Sequence, residues 1–184
     1  MGESRNITGG AYALTVFTAI IPGHEEELRE TIEALPRATE SPLARLTQLH
    51  TSRLQIIDHL VYQGPPALRD ALQSNYLLFT AAFDGALEPF LDAIIDDVGP
   101  AADRWWRHCV GYPSLADRAA FKGWIRRNQV HTSLFAVASP NESVANVLES
   151  LALREKVLEF AVSAQGLPAG EVQERFRRTF GEVG

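Results

Sequence analysis

Residues 76–98, YLLFTAAFDGALEPFLDAIIDDV, contain two adjoining elements in which the apolar residues are spaced differently. Residues 76–83 are almost uniformly apolar, which predicts a buried, central β-strand. Asp84-Gly85 is a turn signal that ends this strand. The apolar residues that follow recur at helical spacing: Leu87, Phe90, Leu91, Ile94, Ile95 and Val98. The stretch therefore predicts a strand that leads directly into a helix.

Three other segments have the composition of strands. Residues 12–21 (YALTVFTAII) are rich in β-branched and aromatic residues, and Pro22-Gly23 end them. Residues 46–57 mix apolar with polar positions, which is typical of a strand with one face away from the core. Residues 131–138 (HTSLFAVA) predict the fourth strand.

Helices are predicted between these strands. Glu25, Glu26 and Glu27 would occupy the first turn of a first helix, where negative charge is favourable. The helix that begins near Leu87 should break at Gly99-Pro100, because proline has no N–H to donate and clashes with the preceding turn. Short helical segments follow in the aromatic-rich region 101–130.

Two more helices are predicted at the C-terminal end. Residues 139–142 (SPNE) form a capping box that opens a third long helix, which extends to about residue 165. Val172, Phe176 and Phe180 are spaced as in a final amphipathic helix. We expect a flexible N-terminus over 1–11, one α+β domain over 12–166 and a tail helix over 167–184.

Composition excludes several classes of function. The chain has 184 residues, of which 46% are hydrophobic, enough for one well-formed core. The net charge of −6 argues against nucleic acid as a partner. No segment has the roughly 18 apolar residues of a membrane span, and residues 1–10 lack an apolar signal core, so we expect a cytoplasmic protein without membrane contact. The lone Cys109 is interpreted as a small buried residue.

The order strand, helix, strand, strand, helix, strand resembles a ferredoxin-like α+β domain with its helices on one face of the sheet. More narrowly, residues 12–165 are similar in architecture to the dimeric α+β barrel superfamily. That superfamily includes chlorite dismutase-like and dye-decolorising peroxidase-like haem proteins, antibiotic-biosynthesis monooxygenases and EthD-like proteins. The resemblance implies a homodimer, a small-molecule ligand bound at the open sheet face, and either haem or no cofactor.

The second predicted strand offers two sets of candidate site residues, because successive side chains point to opposite faces. If Arg53 faces the open side, its guanidinium can anchor an anionic group, with Gln55, Thr15 and Thr80 supplying hydrogen bonds. If the opposite set does, His50 becomes the candidate general base. The sequence leaves both alternatives open.

The remaining histidines differ in context. His24 and His59 are expected at the surface. His108 follows two tryptophans and is a second candidate for proton transfer. If haem is bound, His108 or His131 is the expected axial ligand. No His-x-x-x-His, Glu-x-x-His or paired cysteine predicts a non-haem metal site, which would have to gather residues from distant segments.

Aromatic side chains are concentrated in the region before the predicted fourth strand. They either seat the extra helices on the core or form one wall of a pocket for a flat apolar ligand. The candidate pocket residues are Trp105, Trp106, Tyr112 and Trp124.

Three functions are compatible with these features. The first is a small-molecule enzyme of the dimeric α+β barrel type, with monooxygenase- or peroxidase-like oxidation of an apolar or aromatic substrate implied by the resemblance. The second is a non-catalytic ligand-binding or stress-related protein that uses the same pocket. The third is a haem-binding protein.

Overall fold

A computed structural model of the protein describes residues 3–60, 64–65 and 72–181. The fold is α+β, and the chain divides into two compact units, Met1–Val144 and Ala145–Gly184. The first unit contains one antiparallel sheet with the strand order β1-β2-β4-β3. Its strands are β1 (Ile7–Thr8), β2 (Ala11–Ala19), β3 (Leu49–Ile57) and β4 (Tyr76–Asp84). The three longer strands confirm the predictions for 12–21, 46–57 and 76–83.

Helices α1 to α4 accompany this sheet, and a π-helical segment, Ile94–Val98, connects α2 to α3. Their bounds are α1 (Glu25–Glu33), α2 (Leu87–Ala93), α3 (Gly99–Trp106) and α4 (Arg118–Arg127). The long helix α5 (Val144–Ser163) and the tail helix α6 (Ala169–Phe180) follow. Because the boundary between the two units falls at residue 145, nearly all of α5 belongs to the same unit as α6.

Only one face of the sheet enters the hydrophobic core. Along β2 and β4, buried residues alternate with partly exposed ones, and Phe79 and Phe83 of β4 point inward. Phe83 stacks on Phe90 of α2 with ring centroids 3.6 Å apart, and Phe79 meets Trp106 edge to face at 5.6 Å. These contacts seat α2 and α3 on that face.

The prediction of a fourth strand at His131–Ala138 is wrong. The outer edge of β2, where that strand would pair, is shared by three short segments instead. β1 pairs with the first residues of β2, Gln129 forms a β-bridge with Val16, and Cys109 forms a β-bridge with Ile20. The chain has therefore left the sheet before residue 131, and the described residues form no βαββαβ pattern with four long strands.

Asn6 and Thr8, near the N-terminus, contribute to this edge. Asn6 is fully buried, and its side-chain oxygen accepts a hydrogen bond from the backbone N–H of Thr132. Thr8 donates its hydroxyl to the carbonyl of Phe135 at 2.6 Å. These contacts fix residues 132–135 beside β1 without strand pairing.

The helix does not break at Gly99-Pro100. Pro100 lies in the first turn of α3, where a missing N–H costs little. The π-helical segment directly before α3 changes the hydrogen-bond register there, so the chain remains helical through residue 106.

An ion-pair network joins α2 and its π-helical extension to α4. Arg118 donates to Asp92 at 2.7 Å and to Asp96 at 2.6 Å, and Lys122 lies 2.7 Å from Asp92. Hydrogen bonds from Lys122 and Arg118 lower the pKa of Asp92, and the bond from Arg118 lowers the pKa of Asp96.

We expect the replacement Arg118→Met to lower the free energy of unfolding at neutral pH. A carboxyl group with a lowered folded-state pKa stabilises the protein above its unfolded pKa of about 3.9, and this contribution disappears as the pH falls through the folded value. The difference between variant and parent should therefore shrink below about pH 4. Urea unfolding as a function of pH measures it, with Arg127→Met on the same helix as the control. A difference that does not change with pH would contradict the role given to the two aspartates.

Candidate functional site

The outer edge of β2 determines where His108 lies. The backbone N–H of Ile21 donates to the carbonyl of His108 at 2.8 Å, and the N–H of Val110 donates to the carbonyl of Ala19 at the same distance. These bonds hold the residues that follow α3 in an extended pairing with the end of β2. His108 is consequently placed against the turn that leads from β2 into α1.

That turn brings in two further polar residues. Gly23 adopts a φ of +90°, a conformation that glycine tolerates best, and the turn delivers His24 to the start of α1. Glu27 lies three residues later, one helical turn further along the same side of the helix.

The three side chains form what we call the His24–Glu27–His108 cluster. The Nδ1 atoms of His24 and His108 are 3.1 Å apart, and His108 Nδ1 lies 4.0 Å from Glu27 Oε2. His108 is buried, His24 is half-buried, and the Glu27 side chain is 70% exposed. The cluster therefore has a buried base and an open, acidic rim.

Burial governs the protonation of His108. Desolvation lowers its pKa, and the nearby His24 and Arg107 lower it further. Glu27 and a hydrogen bond with the backbone of Arg104 act in the opposite direction. The balance favours a neutral imidazole with a lone pair available to a hydrogen-bond donor or a metal ion.

The cluster has donors suited to a divalent transition metal. Two nitrogen ligands about 2.0–2.1 Å from one ion, at angles of about 90–109°, lie about 2.9–3.4 Å from each other, a range that includes the observed 3.1 Å. The ligand atoms of the three residues lie within 4.8 Å of one another, and the exposure of Glu27 leaves its carboxylate free to move closer and complete the set. The same distance of 3.1 Å between the two Nδ1 atoms is also compatible with a hydrogen bond between the imidazoles.

Of the two alternatives for the second predicted strand, the structure favours the arginine set. Arg53 pairs across the sheet with Thr80, which pairs with Thr15, so the three residues form one row across β3, β4 and β2. Gln55 lies on the same side of β3 and is exposed. This row lies on the face opposite the core residues Phe79 and Ala81.

His50 lies apart from that row, at a β-bulge between Leu49 and Thr51. Its Nε2 is 2.7 Å from Asp84 Oδ1, while Asp84 Oδ2 accepts a hydrogen bond from the backbone N–H of Val144. His50 thus has a carboxylate partner that is itself hydrogen-bonded to the backbone of Val144.

The predicted aromatic pocket wall is part of the core. Trp105, Trp106 and Trp124 are each at most 2% exposed, and the Tyr112 hydroxyl donates to Asp103 at 2.9 Å. Trp106 contacts the inward-facing Phe79. These aromatics and the Arg53 row therefore lie on opposite faces of the sheet and do not line one common pocket.

The two candidate haem ligands are also separated. His131 lies 3.4 Å from the Asn6 amide, near the first residues of β2, whereas His108 lies beyond the last ones. About nine strand residues, or about 30 Å, separate these positions. Two surface clefts of about 240 and 230 Å³ are lined by neither histidine.

Sequence reasoning named His108 but missed its partners. The His24-x-x-Glu27 spacing at a helix start is the local signal that was available. This spacing contributes to a site only because residues 108–110 pair with the end of β2 and bring His108 beside His24. No local sequence pattern predicts that pairing.

Cys109, next to the cluster, is buried as expected. The Thr18 hydroxyl donates to its sulfur at 3.2 Å, but burial outweighs this contact and raises the pKa of the thiol to about 11. Its backbone contributes to the edge of the sheet through the bridge to Ile20.

We expect Cys109 to react with Ellman's reagent at pH 8 at least about a hundredfold more slowly in the native protein than in urea. The thiolate fraction falls by about this factor when the pKa rises from its usual value to about 11. Equal rates in both states would show that the thiol is accessible and ionised.

In comparisons with known proteins, the sequence matches no family model, and neither a curated protein nor a solved structure is similar to it. Within the described part of the chain, every helix is too short or too polar to cross a bilayer.

Proposed function

We propose that this protein is a metal-dependent enzyme in which His24, Glu27 and His108 bind one divalent transition-metal ion. The observation that carries the proposal is the convergence of two imidazole nitrogens 3.1 Å apart with a carboxylate oxygen at 4.0 Å. The ligands come from the start of α1 and from the residues after α3, which backbone hydrogen bonds hold together independently of the side chains.

The open rim supports a catalytic rather than a structural ion. Structural zinc sites are closed by four protein ligands, whereas catalytic sites use three and keep a position for water or substrate. Here the cluster supplies three donors, and the exposed Glu27 leaves the ion accessible to solvent. The buried, neutral His108 would bind the ion at the base of the cluster, on the side away from solvent.

The donor set by itself suits oxidative chemistry. Two histidines and one carboxylate with open positions are the ligand type of non-haem iron oxygenases, and the same set can hold zinc for hydrolysis. We propose the oxidation of a small apolar or aromatic molecule, with Fe²⁺ as the bound metal and dioxygen as the oxidant, as the first activity to assay. The protein's own groups would bind and orient the ion, and Glu27 would neutralise part of its charge.

Metal titration of the purified protein tests the proposal. We expect one equivalent of Co²⁺ to bind, with His24→Ala and Glu27→Gln each weakening the affinity at least about tenfold, because even residues that only support metal ligands contribute 10–100-fold. His59→Ala, at an exposed histidine that pairs with Asp58, is the matched control and should bind as the parent does. Isothermal titration calorimetry and the visible spectrum of bound Co²⁺ provide two readouts.

Circular dichroism establishes that both variants keep the fold. The proposal fails if the parent binds no Co²⁺ or Zn²⁺ at millimolar concentration. It also fails if the folded His24→Ala and Glu27→Gln variants bind metal as tightly as the His59→Ala control.

A second candidate function is the binding of a small carboxylate at the open sheet face, without metal. The Arg53 row favours it, because Arg53 is exposed and has no ion-pair partner among the described residues. Thr15 and Thr80 lie in the same row, and their hydroxyl groups make no hydrogen bond to those residues, so they can orient a ligand. We expect Arg53→Ala to weaken binding of an aromatic carboxylate probe such as benzoate at least about tenfold in an NMR titration. Arg127→Ala, at an exposed arginine of α4, is the control. Unchanged affinity in Arg53→Ala would remove this row as a site.

A further inference from the structure

A cleft of about 240 Å³ lies between the connection from α1 to β3 and the start of α3. The connection contains two short 3₁₀ helices, Ala38–Glu40 and Pro42–Arg45. The volume of the cleft is below the roughly 300–1,000 Å³ that is typical of pockets for drug-sized ligands, so its ligand has to be small. The charged residues that line the cleft are Glu40, Arg45 and Arg104.

The walls of the cleft have a backbone with little freedom to change. They include three residues whose rings fix φ, namely Pro36, Pro42 and Pro100. Ala38, in the first 3₁₀ helix, has a φ of +53°, a conformation that residues other than glycine rarely adopt. Such a conformation persists only where the surrounding structure holds it in place. The cleft is therefore shaped before a ligand binds, which reduces the entropic cost of binding.

The charged groups of the cleft are not neutralised by one another. Arg45 donates from Nη1 to the backbone carbonyl of Asp97 at 3.2 Å, which orients its guanidinium group and leaves the other N–H groups to a ligand. Among the described residues, neither Arg45 nor Arg104 has a carboxylate partner, and Glu40 makes no ion pair. The cleft thus presents two positive charges and one negative charge to solvent.

We propose that this cleft binds a small phosphate monoester that also carries an ammonium group. Such a phosphate has a charge of about −1.5 to −2 at pH 7, which matches the two guanidinium groups. The phosphate holds this charge in one compact group, so Arg45 and Arg104 can both donate to it within a small cleft. The ammonium group would donate to the carboxylate of Glu40, which would otherwise repel the phosphate.

The cleft is separate from the proposed metal site. It is lined by none of the residues of the His24–Glu27–His108 cluster. Binding at the cleft can therefore be measured in metal-free buffer, and its outcome does not depend on whether the cluster holds an ion.

Isothermal titration calorimetry with O-phosphoethanolamine and with inorganic phosphate tests the role of the arginines. We expect O-phosphoethanolamine to bind the parent protein with a Kd below about 1 mM. Arg45→Gln and Arg104→Gln should each weaken the binding of both compounds at least about tenfold, because each removes hydrogen bonds from a charged donor. Arg37→Gln, at an exposed arginine of the same connection that does not line the cleft, is the matched control.

Glu40→Gln separates the two halves of the ligand. This variant should bind O-phosphoethanolamine more weakly than the parent, because it loses the partner of the ammonium group. It should bind inorganic phosphate more tightly, because a negative charge has been removed from the cleft. Opposite changes in the two affinities cannot come from a general loss of structure.

Three results would overturn the proposal. The first is a parent protein that binds no O-phosphoethanolamine at 10 mM, which is about ten times the largest expected Kd. The second is an Arg37→Gln control that loses as much affinity as Arg104→Gln. The third is a Glu40→Gln variant in which both affinities change in the same direction or not at all.

Discussion

The hydrogen bonds between residues 108–110 and the end of β2 are the constraint on which the candidate site depends. They bring the residues that follow α3 to the outer edge of the sheet and seat Trp105 and Trp106 in the core. They also place His108 beside the turn that carries His24. Without this pairing the two histidines, 84 residues apart in sequence, would have no reason to meet.

The same edge explains why the fold departs from a ferredoxin-like pattern. Periodicity identified β2, β3, β4 and the helices, because those signals are local. It also grouped Arg53 with Gln55 on one side of β3, since alternation along a strand is a local property. That Thr80 and Thr15 lie in the same row follows from the register of the sheet, which no local pattern supplies. It failed for residues 131–138, because whether a short apolar segment joins a sheet depends on which segments already occupy the edge, and here β1, Cys109 and Gln129 do.

The cluster combines two opposed environments. His108 is enclosed, so its charged form is penalised, while Glu27 remains in contact with water. The proposed metal ion would suit both environments, because it requires a neutral imidazole and an ionised carboxylate as ligands. The adjacent Cys109 has the buried environment without the acidic neighbour, and its thiol is accordingly held in the protonated form.

The central claim is that His24, Glu27 and His108 ligate one ion, and anomalous X-ray diffraction from crystals soaked in Co²⁺ tests it most directly. The account predicts one strong anomalous peak about 2.0–2.1 Å from the Nδ1 atoms of both histidines, with a Glu27 oxygen in the same coordination shell. A fully occupied peak held by other residues, or an unchanged contact between the two imidazoles with no peak at saturating Co²⁺, would contradict it.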